Sequence, residues 1–495
     1  MFIQKPFSLT TSTGGGAGWV PKGAIVLDDQ QYFSRTPGSA GNRTTWTYSL
    51  WIKRNQTNPI NYSQYPSAGP NASAFMLSVL NTSSAPNFRF VGSDSTGGNN
   101  RIRVSDDVGA TLFDTGAEFS DVSGWYHIVF SFDSTQPLQD NRLRLFVNGQ
   151  RVADYGLYNA GNLTLNEEWA VNNTVQHNIG KSAVADYLYA TISEVIMLDG
   201  YAALPSELGQ YNSNGIWIPI DPSTIVAAQK GTNGFWLDFA DSSDLGNDVS
   251  GNNNDFTATG ITSADATFDN PSDSGSQSNY CTWDQNNKQP PQNNDIVLIK
   301  GNLQIVKGSG STNPSIKSTL PFHGKQYVEM RMIANSSAVG SRQNIGIIEY
   351  NANLETGFTP SSNATFSGVV FPRLQGWSDG VAGTIGADLT NGQTVCVAFS
   401  EEDEKWWYRV NDGAWIGGGD PTVPSSTPSG TFTSGKTYLW SGFVSDTNDE
   451  NITDFGQNGY AYTPPSGYLP VNTINMTTPT ITDPSLHFSG IGYTG

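Results

Sequence analysis

Short apolar and alternating runs, separated by clusters of Gly, Asn and Pro, fill the chain from Ala24 onward. Ala24–Leu27 is apolar, and Trp46–Ile52 is β-branched and aromatic. Phe75–Leu80, Phe88–Val91, Arg101–Val104, Trp125–Phe132, Leu143–Val147 and Ala190–Leu198 continue the series. In Arg142-Leu143-Arg144-Leu145 charge alternates with bulk, the period-two signature of a strand with one wet and one dry face. That run leads into Asn148-Gly149, a strong hairpin signal. Runs this short, with turn residues between them, predict stacked antiparallel sheets. One helical turn is expected at Leu204–Leu208, where Pro205 stands near a helix start.

A second series begins at Asp295–Ile299 and continues through Gln326–Met332, Asn344–Ile348, Thr394–Phe399, Trp406–Val410 and Tyr438–Val444. Between the two series, residues 241–280 are dense in Asp, Asn, Ser and Gly. The pattern divides the chain into an N-terminal arm (1–23), a first sandwich (24–230), a connecting region (231–276), a second sandwich (277–470) and an extended C-terminal tail (471–495). The arm is Gly-rich and is expected to be flexible or to dock on a partner. The fold class expected is all-β: two antiparallel β-sandwich domains with an extended arm and tail.

Composition sharpens this. Of 495 residues only 14% are charged, whereas Trp, Tyr and Phe number 13, 20 and 24, enough to fill two cores. The net charge of −19 argues against a nucleic-acid partner, which needs clustered Lys and Arg. No apolar stretch is long enough for a membrane-spanning helix, so no membrane insertion is expected. Met1–Lys5 begins no apolar run of the signal-peptide kind. Cys281 and Cys396 match no metal or redox spacing.

The four histidines, His127, His177, His323 and His487, are dispersed and show no ligand spacing. Neither a nucleophile elbow nor a phosphate-binding glycine loop is present. The acidic run Glu401–Glu404 and the pair Glu167-Glu168 read as solvated turns. Asp241, Asp244, Asp248 and Asp255 crowd one Gly- and Asn-rich stretch. Their oxygens suit a calcium ion as a candidate cofactor and equally suit Asx turns. Asp446, Asp449 and Glu450 form a second such cluster. A sugar site needs an exposed ring beside hydrogen-bonding side chains. Trp407 shares a strand face with Arg409, opposite Trp406 and Tyr408, so a wet Arg409 would make Trp407 a candidate. The alternative is that both tryptophans bury, one on each face of the sheet. Tyr62 and Tyr65 are further candidates if their loop presents them.

Gly124-Trp125-Tyr126-His127-Ile128-Val129, Asn141 through Gly149, Asn178-Ile179-Gly180 and Ile192 through Gly200 occur in that order. In order and spacing they resemble the last strands of the laminin-G-like, concanavalin A-type jelly roll, over residues 24–210. Tyr32 through Pro37, Gly41 through Ser49, and the stretches Thr232–Phe239 and Ser250–Phe256 resemble a form of that domain, with its linker, found in phage virion proteins. Asn279–Thr282, Gly324–Glu329, Ile345–Ile347, Asp454–Gln457 and Ala461–Tyr468 are similar to a SPRY-type sandwich over residues 277–470. The glucanase form of the jelly roll carries Glu-x-Asp-x-x-Glu, a string this chain lacks.

The resemblance implies a non-enzymatic virion surface protein: a tail fibre, head fibre or capsid-decorating spike that attaches to host glycans. Its expected partners are other virion proteins, host cell-surface glycans and further copies of itself, as a trimer by analogy. A polysaccharide depolymerase and a free lectin are the alternatives.

Overall fold

The computed structural model describes residues 19–28, 30–57, 73–82, 85–91, 100–159, 163–183, 186–274, 278–289, 296–308, 314–335, 342–352, 366–371, 373–446 and 448–476. The chain is almost wholly β, with four large antiparallel sheets.

In the first sandwich, one eight-stranded sheet is built around Thr45–Arg54, paired on one side with Trp125–Asp133 and on the other with Ala190–Asp199. Alternation sets the faces. Trp46, Tyr48, Leu50 and Ile52 point into the core, opposite Phe132, Phe130 and Ile128 on the neighbouring strand. Thr47, Ser49, Trp51 and Lys53 take the outer face. The second eight-stranded sheet contributes Met76, Val79, Phe88, Phe90, Val104 and Phe113 to the same core. Trp46 stacks on Phe132 and packs at a tilt against Trp169. Asn148 and Gly149 both have positive φ, 49° and 77°, as a tight hairpin requires.

The stretch read as connecting is woven into this sandwich. Phe235–Leu237 and Ala266–Thr267 add to the first sheet and Thr257–Thr259 to the second. Its abundant Asp and Asn hold turns by accepting backbone N–H groups. The last residues read as arm, Trp19–Gly23, pack on the outer face of the first sheet. There Lys22 pairs with Asp238 at 3.0 Å, and the Gly23 carbonyl accepts from Ser193. Residues 1–18, and 477–495 of the expected tail, lie outside the described residues. Residues 471–476 end on a short 3-10 turn, Thr473–Asn475, capped by the Asn472 side chain. The helical turn near Pro205 forms as a 3-10 turn, Pro205–Glu207. A seven-residue α-helix at Ser223–Gln229 was not read from the sequence.

The second sandwich stacks two seven-stranded sheets. Val328, Met330, Val395, Val397, Phe399, Trp406 and Tyr408 face its core, with Trp440 from the opposite sheet. The two sandwiches meet across a buried polar junction. Lys53 is 1% exposed and its ammonium donates to Asp269 (2.8 Å), Asn279 (2.9 Å) and the Tyr280 carbonyl (2.7 Å). Asp269 also accepts from the Trp125 indole and the Tyr280 N–H. Asn302 donates to the Asn55 carbonyl and the Lys300 N–H to Asp28.

Candidate functional site

Trp407 is not a sugar platform in this fold. Its side chain is fully buried, under Tyr468 with Trp415, Tyr460 and Tyr462 alongside, and its indole N–H donates to the Thr427 carbonyl. The chain segment after Asp454 returns over this outer face and covers it. Glu329 pins that segment by accepting the N–H groups of Ala461 and Tyr462. Arg409 is 9% exposed, lies over the Trp415 ring at 4.8 Å and pairs with Asp412. Both tryptophans of the pair therefore bury, one on each side of the sheet. Tyr62 and Tyr65 lie outside the described residues.

The four aspartates do not converge. Asp248 accepts from the N–H groups of Trp236, Ser250 and Asn254 and from the Ser250 hydroxyl. Asp255 accepts the Asp248 N–H, and Asp241 caps its own turn through Ser243. Asp244 donates its N–H within that turn. Three of the four carboxylates thus serve as loop ties. Among the described residues no three His, Cys, Asp or Glu side chains gather as a metal site.

One pair needs a chemical test. Ser49 Oγ lies 2.9 Å from His127 Nε2, the spacing of a nucleophile and its base. The other ring nitrogen, Nδ1, receives the Trp217 indole N–H at 2.9 Å. An indole N–H can only donate, so Nδ1 carries no hydrogen and Nε2–H donates to Ser49. A base must accept from the hydroxyl, and this ring offers it a donor instead. Burial pushes His127 down to about 3, and the ring is held between Trp51, at 4.6 Å, and Trp217. Trp217 comes from the Gly209–Pro219 hairpin that lies over this face.

An open aromatic surface lies at the lateral edge of the first sandwich. Here the edge strand of one sheet, Gln150–Arg151, passes into the edge strand of the other, Tyr155–Tyr158. Strict alternation would set Tyr155 and Tyr158 on opposite faces. The ladder slips by one residue at Gly156, so Tyr155 pairs with Thr115 and Tyr158 with Phe113. This bulge returns both rings to one side. They stack at 4.9 Å and 14°, and Tyr155 rests on Phe113 at the rim of the core. Tyr158 and Leu157 are 42% and 41% exposed. The 3-10 turn Gln139–Asn141 provides the polar side. Asp140 accepts the Tyr158 hydroxyl at 2.6 Å, and Arg151 donates to Asn141 Oδ1 and to the Asp140 carbonyl. Partial burial and the Asp140 carboxylate push the Tyr158 phenol upward, so it remains a hydroxyl. At the far end of the short strand, Gln150 donates to Tyr211, itself 48% exposed. Two exposed rings thus flank amide, carboxylate and guanidinium groups.

Residues 27–205, which span most of this sandwich, match the concanavalin A-like lectin/glucanases superfamily (Laminin_G_3). The match agrees with the two stacked antiparallel sheets of this sandwich, a jelly-roll fold. Solved structures similar to part of the chain include a putative carbohydrate binding protein from Bacteroides ovatus. It has 15% identity and a TM-score of 0.33, over 49% of this chain and 60% of that one. The SPRY domain of human HERC1 has 8% identity and a TM-score of 0.27, over 34% and 96%. A heptameric SAP-like pentraxin from Limulus polyphemus has 12% identity and a TM-score of 0.25, over 37% and 78%. No curated protein matches the chain.

Sequence reasoning missed Tyr155 and Tyr158. Their strand is four residues long and does not alternate, because of the bulge. The usable signal was Tyr-Gly-x-Tyr a few residues after Asn-Gly: a glycine between aromatics just past a hairpin marks an edge bulge.

Proposed function

We propose that the protein is a non-enzymatic carbohydrate-binding protein, and that it serves on the surface of a phage particle to attach to host glycans. The observation carrying the first part is the stacked Tyr155–Tyr158 pair at the open edge of the first sandwich. An exposed ring covers the C–H face of a sugar while neighbouring amide, carboxylate and guanidinium groups take its hydroxyls. The superfamily matched by residues 27–205 is described by both lectins and glucanases, so binding and hydrolysis both belong to its description. Binding without hydrolysis rests on the sequence, which lacks the Glu-x-Asp-x-x-Glu string of the glucanase form. The particle-bound role rests on the sequence resemblance to phage virion proteins, and with it the expectation of self-association and of virion partners.

Titration of the purified protein against a panel of bacterial surface polysaccharides, beside Tyr158→Ala, tests binding. Saturable binding that weakens about tenfold in the variant, roughly 1.4 kcal/mol, is expected. The same mixtures, followed for chain shortening, are expected to show none; steady turnover would make the protein a depolymerase. Gold-labelled antibody on intact particles tests the virion role, and unlabelled particles would remove it.

A further inference from the structure

We infer that the edge site takes an acidic saccharide, with a carboxylate of the sugar chain paired to Arg151 beside the Tyr158 ring. This rests on the carbohydrate-binding reading and names the chemical class. Arg151 is exposed, on the free edge strand of its sheet. Its contacts with Asn141 Oδ1 and the Asp140 carbonyl fix the guanidinium against the 3-10 turn. An arginine has more N–H donors than these two contacts use, and its planar fork matches a carboxylate. Among the described residues no carboxylate stands within ion-pair distance of it.

A second guanidinium strengthens the case. Arg151 pairs across the ladder with Phe146, and Arg144 is two residues from Phe146 on the same face. Arg144 and Arg151 repel each other; Arg144 donates to the Ser131 hydroxyl, lies over the Phe146 ring and is partly offset by Asp133. Arg142 nearby is spent on the carbonyls of Gln136, Pro137 and Leu163. The carboxylates of this corner have their own donors. Asp140 takes the Tyr158 hydroxyl, and Asp133 takes Thr135 and Gln136. In a chain of net charge −19, two arginines are set on one face near an edge where Tyr158 is open. An anionic ligand would relieve their repulsion, and a neutral sugar would not. The surrounding negative charge would repel polyanions elsewhere, so it confines them to this edge.

Polygalacturonate and its fully methyl-esterified form share a backbone and differ in charge, and both can be titrated against the full chain. The expected result is at least tenfold tighter binding of the charged polymer at low salt, with the difference shrinking as salt rises. Arg151→Gln should remove that preference, bringing the two polymers to equal affinity, and Arg151→Lys should restore part of it. Equal binding of both polymers, lost in Tyr158→Ala, would overturn the charge preference and keep the carbohydrate reading. Binding of neither polymer would overturn the inference, and no binding across the wider polysaccharide panel would overturn both. Unchanged thermal midpoints in the variants show that the fold is intact.

Discussion

Trp406-Trp407 and Tyr155–Tyr158 are both aromatic pairs on strands near a sheet edge, and they end in opposite states. The tryptophans alternate, so one enters the core and the other turns outward, where the segment carrying Tyr460, Tyr462 and Tyr468 covers it. The tyrosines are brought to one side by a bulge, and Tyr158 stays open. Aromatic density alone therefore does not locate a binding surface. What decides it is whether a later stretch of chain returns over the face, and that is a long-range property.

The contrast breaks most visibly at its covered end. Trp407→Ala should cost roughly 3–5 kcal/mol of stability, as large-to-small changes in packed cores do, whereas Tyr158→Ala should cost well under about 1 kcal/mol. Denaturant titration of both measures this. Comparable losses would mean that Tyr158 is structural.

The junction offers the next test of cover. Lys53→Met leaves Asp269 buried without its cation, and a loss of about 3 kcal/mol is expected, because removing one partner of a buried pair strands the other. The Trp125 and Tyr280 N–H groups still serve Asp269, which keeps the loss at the lower end.

A third test uses pH. Glu194 sits on a bulge with φ of 48°, is 2% exposed and accepts the Trp236 indole N–H. Burial pushes its carboxyl up to about 8 from an ordinary 4.5. A folded-state value above the unfolded one means stability that is whole below pH 4.5 and lost as pH rises to 8. His127, held near 3, acts in reverse: its contribution is present above pH 6.5 and lost as pH falls. Between pH 6.5 and 8 Glu194 therefore dominates. The wild type should lose up to about 1.4 kcal/mol per pH unit there, and Glu194→Gln should flatten the slope. Thermal midpoints across that window measure it.

The smallest effect is expected from Tyr158→Phe. It removes the half-exposed hydroxyl bond to Asp140 and keeps the ring, so stability should change by no more than a few tenths of a kcal/mol, less than in Tyr158→Ala. Sugar binding should weaken less than in Tyr158→Ala. Equal weakening would assign the contact to the hydroxyl rather than to the ring face.

The strands of both cores were legible in the sequence because period-two alternation is local: Trp46, Tyr48, Leu50 and Ile52 declare a face without knowledge of the rest of the chain. The Asp- and Asn-rich stretch was harder. Its carboxylates look like cation ligands by type, and only the fold shows Asp248 spent on three backbone N–H groups and a hydroxyl. The bulge at Gly156 hid Tyr158 from a period count, and the return of residues 456–470 over Trp407 could not be read from Trp407's neighbours in sequence.

The Lys53 ammonium has consequences for mechanics. A cut between the two halves would leave the Lys53–Asp269 pair on the first fragment without Asn279, the Tyr280 carbonyl and the Tyr280 N–H, so that fragment should not behave as an independent module. A pull applied at the tyrosine edge would be passed through a stiff shared hinge to the far half. A grip of this kind transmits load rather than absorbing it.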